Sequence, residues 1–190
     1  MSFHFQKLDI PDLALIKPEI FEDERGFFIE TYKRSDFLAA NIQSEFIQDN
    51  HSKSIGKVLR GLHFQLPPHV QAKLVRCTRG EIFDVAVDLR RGSPTYGKHC
   101  SVVLSEENKK MLYVPVGFAH GFFTLSHTTE VCYKVSALYR AESERGIMWN
   151  DQDLNIPWPE SHPVLSQRDQ QWPVLKDFDS PFTYFAKETH

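Results

Sequence analysis

Between residues 83 and 89 the chain alternates: Phe83, Val85, Val87 and Leu89 are apolar, and Asp84 and Asp88 stand on the intervening face. A period of two over seven residues predicts a β-strand with one apolar side. A turn at Arg90–Pro94 follows, then apolar-rich stretches at 100–104, 110–115 and 129–135, separated by Gly, Pro and polar residues. Short strands at this spacing predict an all-β sandwich or barrel. The 3.6-residue period is scarce. Ser35-Asp-Phe-Leu-Ala-Ala-Asn41 reads as a capped helix of two turns, and a few short helices are the most that is expected.

The last 40 residues carry prolines at 157, 159, 163, 173 and 181 among Trp158, Trp172, Phe178, Phe182, Tyr184 and Phe185. Such a tail forms no long helix, and its rings must pack on the body or on a second subunit. No repeat, low-complexity tract or interior linker divides the chain, so one domain is expected over residues 1–190. The 15 phenylalanines point to a core of large rings between sheets. Hydrophobic residues at 41% and charged ones at 25% are ordinary globular values, which excludes disorder. With 22 basic against 25 acidic side chains there is no basic excess for binding nucleic acid. No apolar run approaches the ~18 residues of a membrane span. Lys7 and Asp9 interrupt the stretch a signal peptide would need, so a cytoplasmic protein without nucleic-acid or membrane partners is expected. Cys77, Cys100 and Cys132 lack a paired spacing and read as free, buried thiols.

Nine histidines raise the question of a metal. Arg60-Gly-Leu-His-Phe-Gln65, followed by Lys73 and Gly80, and Pro115-Val-Gly-Phe-Ala-His120 resemble the two motifs of the cupin superfamily, which implies a jelly-roll fold. Metal-binding cupins place three histidines and a glutamate where this chain has His63, Gln65, Lys73 and His120. An amide is a poor ligand and an ammonium repels a dication, so no metal is expected. A pocket of imidazoles and a lysine suits proton transfer instead. His63 is fitted to act as a base near neutrality, and Lys73 to stabilise an oxyanion. Together they describe proton abstraction beside a carbonyl. Tyr133, between Val131 and Val135 on one strand face, presents a phenol from an apolar wall. Each residue also has a plainer reading: a hydrogen-bonded structural histidine, a lysine lying along the surface, a packed tyrosine ring.

Eight segments in series are similar to the dTDP-4-dehydrorhamnose 3,5-epimerase family: Glu24-Arg-Gly-Phe-Phe28, Gln48-Asp-Asn-His-Ser52, Leu59-Arg-Gly-Leu-His-Phe-Gln65, Gln71-Ala-Lys-Leu-Val-Arg76, Asp84-Val-Ala-Val-Asp-Leu-Arg90, Pro115-Val-Gly-Phe-Ala-His-Gly-Phe122, Tyr133-Lys134 and Gly146-Ile-Met-Trp-Asn-Asp151. The resemblance implies an isomerase that inverts C3 and C5 of a dTDP-linked 4-keto-6-deoxyhexose, on the route to dTDP-L-rhamnose of cell-surface polysaccharide, with neither metal nor organic cofactor. It implies His63 as the base, Lys73 at the C4 oxyanion, Tyr133 as the acid on the opposite face, and Asp169 as the carboxylate that orients His63. Asp84 is a second candidate for that last role, because it lies opposite the apolar stripe of its strand. It further implies nucleotide-sugar contacts from Arg25, Glu30, Gln48, Asp49, Asn50, Arg60, Lys73, His120, Glu144 and Arg168, with Tyr139 stacked on thymine. A homodimer follows, since in the family the segment holding Arg25 and Glu30 reaches the neighbouring subunit's site.

Three local features bear on that assignment. Strict alternation sets Arg60 and His63 on opposite faces, so a shared pocket requires a bend or bulge near Gly61. Ala141 stands where relatives carry a proline behind the stacking tyrosine, and Arg168 where many carry lysine. The rival functions are an epimerase acting at C3 alone or on another dTDP-keto sugar, a metal-dependent cupin oxygenase, and a non-catalytic sugar-nucleotide-binding module. Tyr133 argues against the first, Lys73 in a ligand position against the second, and the retained base and lysine together against the third.

Overall fold

Thirteen strands form among residues 2–186, which the computed structural model describes. They are β1 (Phe3–Lys7), β2 (Ala14–Pro18), β3 (Ile20–Asp23), β4 (Gly26–Ile29), β5 (Gln48–Ile55), β6 (Leu59–Gln65), β7 (Lys73–Arg79), β8 (Glu81–Asp88), β9 (His99–Ser105), β10 (Met111–Val114), β11 (Phe118–Thr124), β12 (Thr128–Val135) and β13 (Glu144–Gly146). Six join in the order β1-β2-β10-β7-β12-β5 and five in the order β13-β6-β11-β8-β9, while β3 and β4 make a separate hairpin. The two larger sheets face each other without closing, so the jelly roll is an open sandwich. Val75, Leu112, Val114 and Val131 of the first sheet meet Ile82, Ala86, Phe118 and Phe122 of the second, none more than 5% exposed. No helix among the described residues is long and apolar enough to cross a membrane.

The outer faces are covered too. On the six-stranded sheet, Leu74, Met111 and Tyr113 point away from the sandwich and pack with Phe3 and Phe37. Phe37 comes from α1 (Arg34–Ala39), the single α-helix among the described residues. That helix lacks the cap expected of Ser35. Lys33 occupies the N-cap position, and the Ser35 hydroxyl turns to the Asp36 carboxylate at 3.2 Å.

The apolar side of β8 does not face the other sheet. Val85, Val87 and Leu89 pack outwards with Phe64, Ile147 and Phe182, and Phe83 meets Trp158 edge-on at 5.8 Å. The proline- and aromatic-rich tail is thus a third layer laid on the five-stranded sheet. Asp84 and Asp88, both fully buried, turn into the sandwich instead. Asp88 accepts hydrogen bonds from Arg90, Ser93 and Thr95 at 2.6–2.9 Å, as a buried carboxylate must.

Strand β6 breaks the alternation. His63 is opposite His120 while Arg60 is opposite Phe122, so three steps along β6 match two along β11. The bulge turns Arg60 and His63 to the same side, as the sequence requires of a shared pocket. Gly61 has φ of +140°, and a Cβ there would lie 2.5 Å from the Gly121 Cα, so no other residue fits. All three cysteines are free thiols, although only Cys77 is fully buried.

Candidate active site

At one end of the sandwich the apolar inner rows give way to polar residues. Lys73 precedes Val75 on the inner face of β7, His120 lies between Phe118 and Phe122 on β11, and Tyr133 lies between Val131 and Val135 on β12. Together with Arg60 and His63 they line a cleft of about 640 Å³, which Glu144 and the tail residues Arg168 and Asp169 complete. The tail reaches the cleft because Val164 runs alongside the start of β6: its N–H donates to the Lys57 carbonyl at 2.7 Å, and its carbonyl accepts from Leu59 at 3.0 Å.

His63 Nε2 lies 2.5 Å from Asp169 Oδ1. The carboxylate is 3% exposed and also accepts from Trp172 Nε1 at 3.3 Å. Burial alone would raise the Asp169 pKa, but the hydrogen bond and charge of His63, with Ser166 and Trp172, outweigh it and hold the pKa below the usual carboxylate value. Asp84, the other candidate partner, does not reach His63. Strand β8 pairs with β11 rather than β6, and Asp84 Oδ1 accepts from His120 Nε2 at 2.9 Å. Its Oδ2 is buried without a hydrogen-bond partner among the described residues.

Burial pulls the Lys73 ammonium down to about 8, with the Asp84 charge opposing the fall. Its Nζ donates to the His63 carbonyl at 3.3 Å, which fixes the cation beside the imidazole. His120 is likewise lowered by burial, against the pull of Asp84, so it is neutral at physiological pH. Burial raises the Tyr133 phenol, and Arg60 only partly offsets this. At neutral pH the cleft therefore holds a charged lysine and a protonated phenol beside the His63–Asp169 pair.

A recess of about 210 Å³ adjoins the cleft, lined by Gln48, Asn50, Gln65, Gln71 and Tyr139 and sharing His63, Lys73, Tyr133 and Glu144 with it. Glu144 forms an ion pair with Arg168 and accepts from the Tyr139 hydroxyl at 2.8 Å. Three expected contact residues are not brought to the cleft within this chain. Alternation on β5 sends Asp49 to the opposite face from Gln48 and Asn50, where Lys134 binds it at 2.8 Å. Arg25, at the tip of the β3–β4 hairpin, is 84% exposed and bonds Asp23, and Glu30 follows the same hairpin. Trp172 and Ser166 belong to the site without having been singled out for it; their spacing of three residues either side of Asp169 is the only signal for them. Gln65, in a cupin ligand position, spends its amide on neighbouring main chain, and the described residues contain no group of three His, Cys, Asp or Glu placed to hold a metal ion.

An open jelly-roll sandwich whose cleft joins such a histidine–carboxylate pair to a half-buried lysine and a phenol defines a cupin-type protein equipped for proton transfer. The family model for dTDP-4-dehydrorhamnose 3,5-epimerase matches residues 7–177, and the chain belongs to that family. The dTDP-4-dehydrorhamnose 3,5-epimerase of Shigella flexneri is 53% identical over 174 residues, covering 91% of this chain and 96% of that protein. Among solved structures, the dTDP-6-deoxy-D-glucose-3,5-epimerase of Legionella pneumophila, in complex with dTDP-4-keto-L-rhamnose, superposes with a TM-score of 0.92 at 42% identity, covering 97% of this chain and 100% of that one. The 3'-monoepimerase ChmJ of Streptomyces bikiniensis, in complex with dTDP-quinovose, shares the fold at a TM-score of 0.84 and 33% identity, covering 89% and 86%.

Proposed function

We propose that this protein inverts C3 and C5 of dTDP-4-dehydro-6-deoxy-D-glucose to give dTDP-4-dehydro-L-rhamnose, by proton removal and return through enolates. One observation carries the reading: His63 hangs from the five-stranded sheet and Tyr133 from the six-stranded sheet, across a single cleft. Inversion needs a base and an acid on opposite faces of the ring, and the two walls supply them. The C4 ketone acidifies the hydrogens on both neighbouring carbons. His63, oriented by Asp169, takes one of them; the electron pair moves to the C4 oxygen, beside the Lys73 ammonium; Tyr133 donates its proton to the other face of the carbon. At the centre so inverted His63 has gained a proton and Tyr133 has lost one; exchange with solvent restores both groups, and no co-reactant is consumed.

In this reading Arg60, Arg168 and His120 hold the diphosphate and sugar, and Gln48, Asn50 and Glu144 contact the nucleoside while Tyr139 stacks on thymine. Arg25 and Glu30 act on the partner's site in a homodimer, and Asp49, bound to Lys134, supports β5, which carries Gln48 and Asn50. The chain forms one domain over residues 1–190, and its own cleft holds the residues that carry the chemistry. Three free thiols fit the reducing cytoplasm as its location.

Proton NMR of the substrate in D₂O with chelator-treated protein tests the proposal. Deuterium is expected at both C3 and C5. Incorporation at C3 alone would assign the chain to the activity that the name of the Streptomyces relative carries. His63→Ala should abolish exchange at both carbons, whereas Tyr133→Phe should keep proton removal and lose inverted product at one of them.

A further inference from the structure

We infer that Gln65 and Gln71 are positioning residues for the nucleotide, their side-chain amides fastening the main chain of residues 137–140 so that Tyr139 is held as a fixed platform for the base. The inference rests on the reading of Tyr139 as the stacking residue and goes beyond it by saying what holds that ring in place. The segment between β12 and the short 3₁₀ turn Ala141–Ser143 pairs with no strand, yet side chains hold four of its backbone groups. Gln65 Nε2 donates to the Leu138 carbonyl at 3.2 Å and to the His69 carbonyl at 2.6 Å, and its Oε1 accepts from the Arg140 N–H at 2.6 Å. Gln71 Nε2 donates to the Ala137 carbonyl at 2.7 Å. The Tyr139 N–H itself donates to Gln48 Oε1 at 3.1 Å.

Gln65 is 3% exposed and uses both donor directions and its acceptor, so its amide cannot turn without leaving buried groups unpaired. The Tyr139 residue above it is 48% exposed. An accessible ring on a main chain tied from below is what a base platform requires, because the ordering cost is met before the ligand arrives. Ala141, two residues on, has no ring to fix its φ, and the Tyr139 hydroxyl's bond to Glu144 at 2.8 Å ties the ring's far end but leaves the main chain to be held by other groups. The amides do so from β6 and from the segment leading into β7.

Titration of the full-length protein with dTDP tests the inference, using Gln65→Ala, Gln71→Ala, Tyr139→Ala and the two glutamine changes made in the Tyr139→Ala background. Loss of the ring is expected to weaken dTDP about tenfold or more. Gln65→Ala should weaken it about three- to tenfold, Gln71→Ala by less, with the loss falling on KM rather than kcat. On the Tyr139→Ala background neither change should weaken dTDP by more than about twofold, because both act through the ring. Additive losses, or dTDP affinities equal to wild type in both glutamine variants, would overturn the positioning role. Wild-type affinity in Tyr139→Ala itself would instead remove the stacking reading on which the inference stands. Should Gln65→Ala not fold, Gln65→Glu keeps the volume and the acceptor for Arg140 while facing two carbonyls without donors, and its dTDP affinity must still fall.

Discussion

The Lys73 ammonium occupies the place of a metal-binding cupin's glutamate, and its environment sets the pH at which it can work. Burial draws its pKa down to about 8, and Asp84 keeps it from falling further. Below that pH the lysine is charged and can face a C4 oxyanion; above it the cation is lost. kcat/KM is therefore expected to decline along an alkaline limb with a midpoint near 8, and a profile flat to pH 9.5 would remove Lys73 from the mechanism. The linkage sign runs the other way for stability. The folded pKa lies below the unfolded one, so between about 8 and 10.5 the unfolded chain binds more protons and this group's contribution to stability rises with pH. Lys73→Met should cost about 3 kcal/mol of transition-state stabilisation, on the order of a hundredfold in kcat. Which carboxylate serves which histidine follows from strand pairing, and that is why the sequence left both Asp169 and Asp84 open as partners of His63. Residue type and the family motif named the acids; the β8–β11 register, invisible in one dimension, gave Asp84 to His120.

Elements with two unlike faces were legible, and elements whose faces are alike or interrupted were not. The alternating stretch at 83–89 and the apolar-rich stretches at 100–104, 110–115 and 129–135 all contain strands, although Met111–Val114 is buried on both faces and was legible from its apolar run alone. Strand β11 is buried on both faces and shows no alternation, and β5, Gln48–Ile55, carries polar residues inwards because its inner face borders the cleft. The bulge in β6 was legible for a different reason: two polar residues at odd spacing were required in one pocket. That bulge makes a prediction. Gly61→Ala forces a left-handed φ on alanine and drives its Cβ into the Gly121 backbone, so urea unfolding should show a loss of about 3 kcal/mol or more. Gly26→Ala is the control. Its φ of +122° is equally foreign to alanine, but nothing lies within 4 Å, and a loss of about 1–2 kcal/mol is expected. Equal losses at the two positions would mean that backbone conformation, and not the close approach of β6 to β11, dictates glycine at 61.

At the scale of the whole molecule, the β3–β4 hairpin is the part that stands apart from the sandwich. It pairs with neither large sheet, and it carries Phe21, Phe27 and Phe28 at 50%, 56% and 64% exposure around the exposed Arg25. A two-stranded hairpin with three exposed phenylalanines is marginal in water, and a second copy of the chain is the cover that the family resemblance implies. In the proposed twofold dimer each hairpin would serve the other subunit's cleft, which would place Arg25 on a different chain from the His63 it works with. Arg25→Ala and His63→Ala should each be strongly impaired as homodimers. When the two chains are co-expressed, however, half of the randomly paired dimers join an intact His63 cleft to an intact Arg25 hairpin at one of their two sites. Activity should return to about a quarter of the wild-type value per chain. A hairpin serving its own cleft would leave each damaged chain with a damaged site whatever its partner, and co-expression would then recover nothing. Phe27→Ser with Phe28→Ser should distinguish covering from catalysis: it should shift the protein toward monomer in sedimentation while leaving the His63–Asp169 pair of each chain in place.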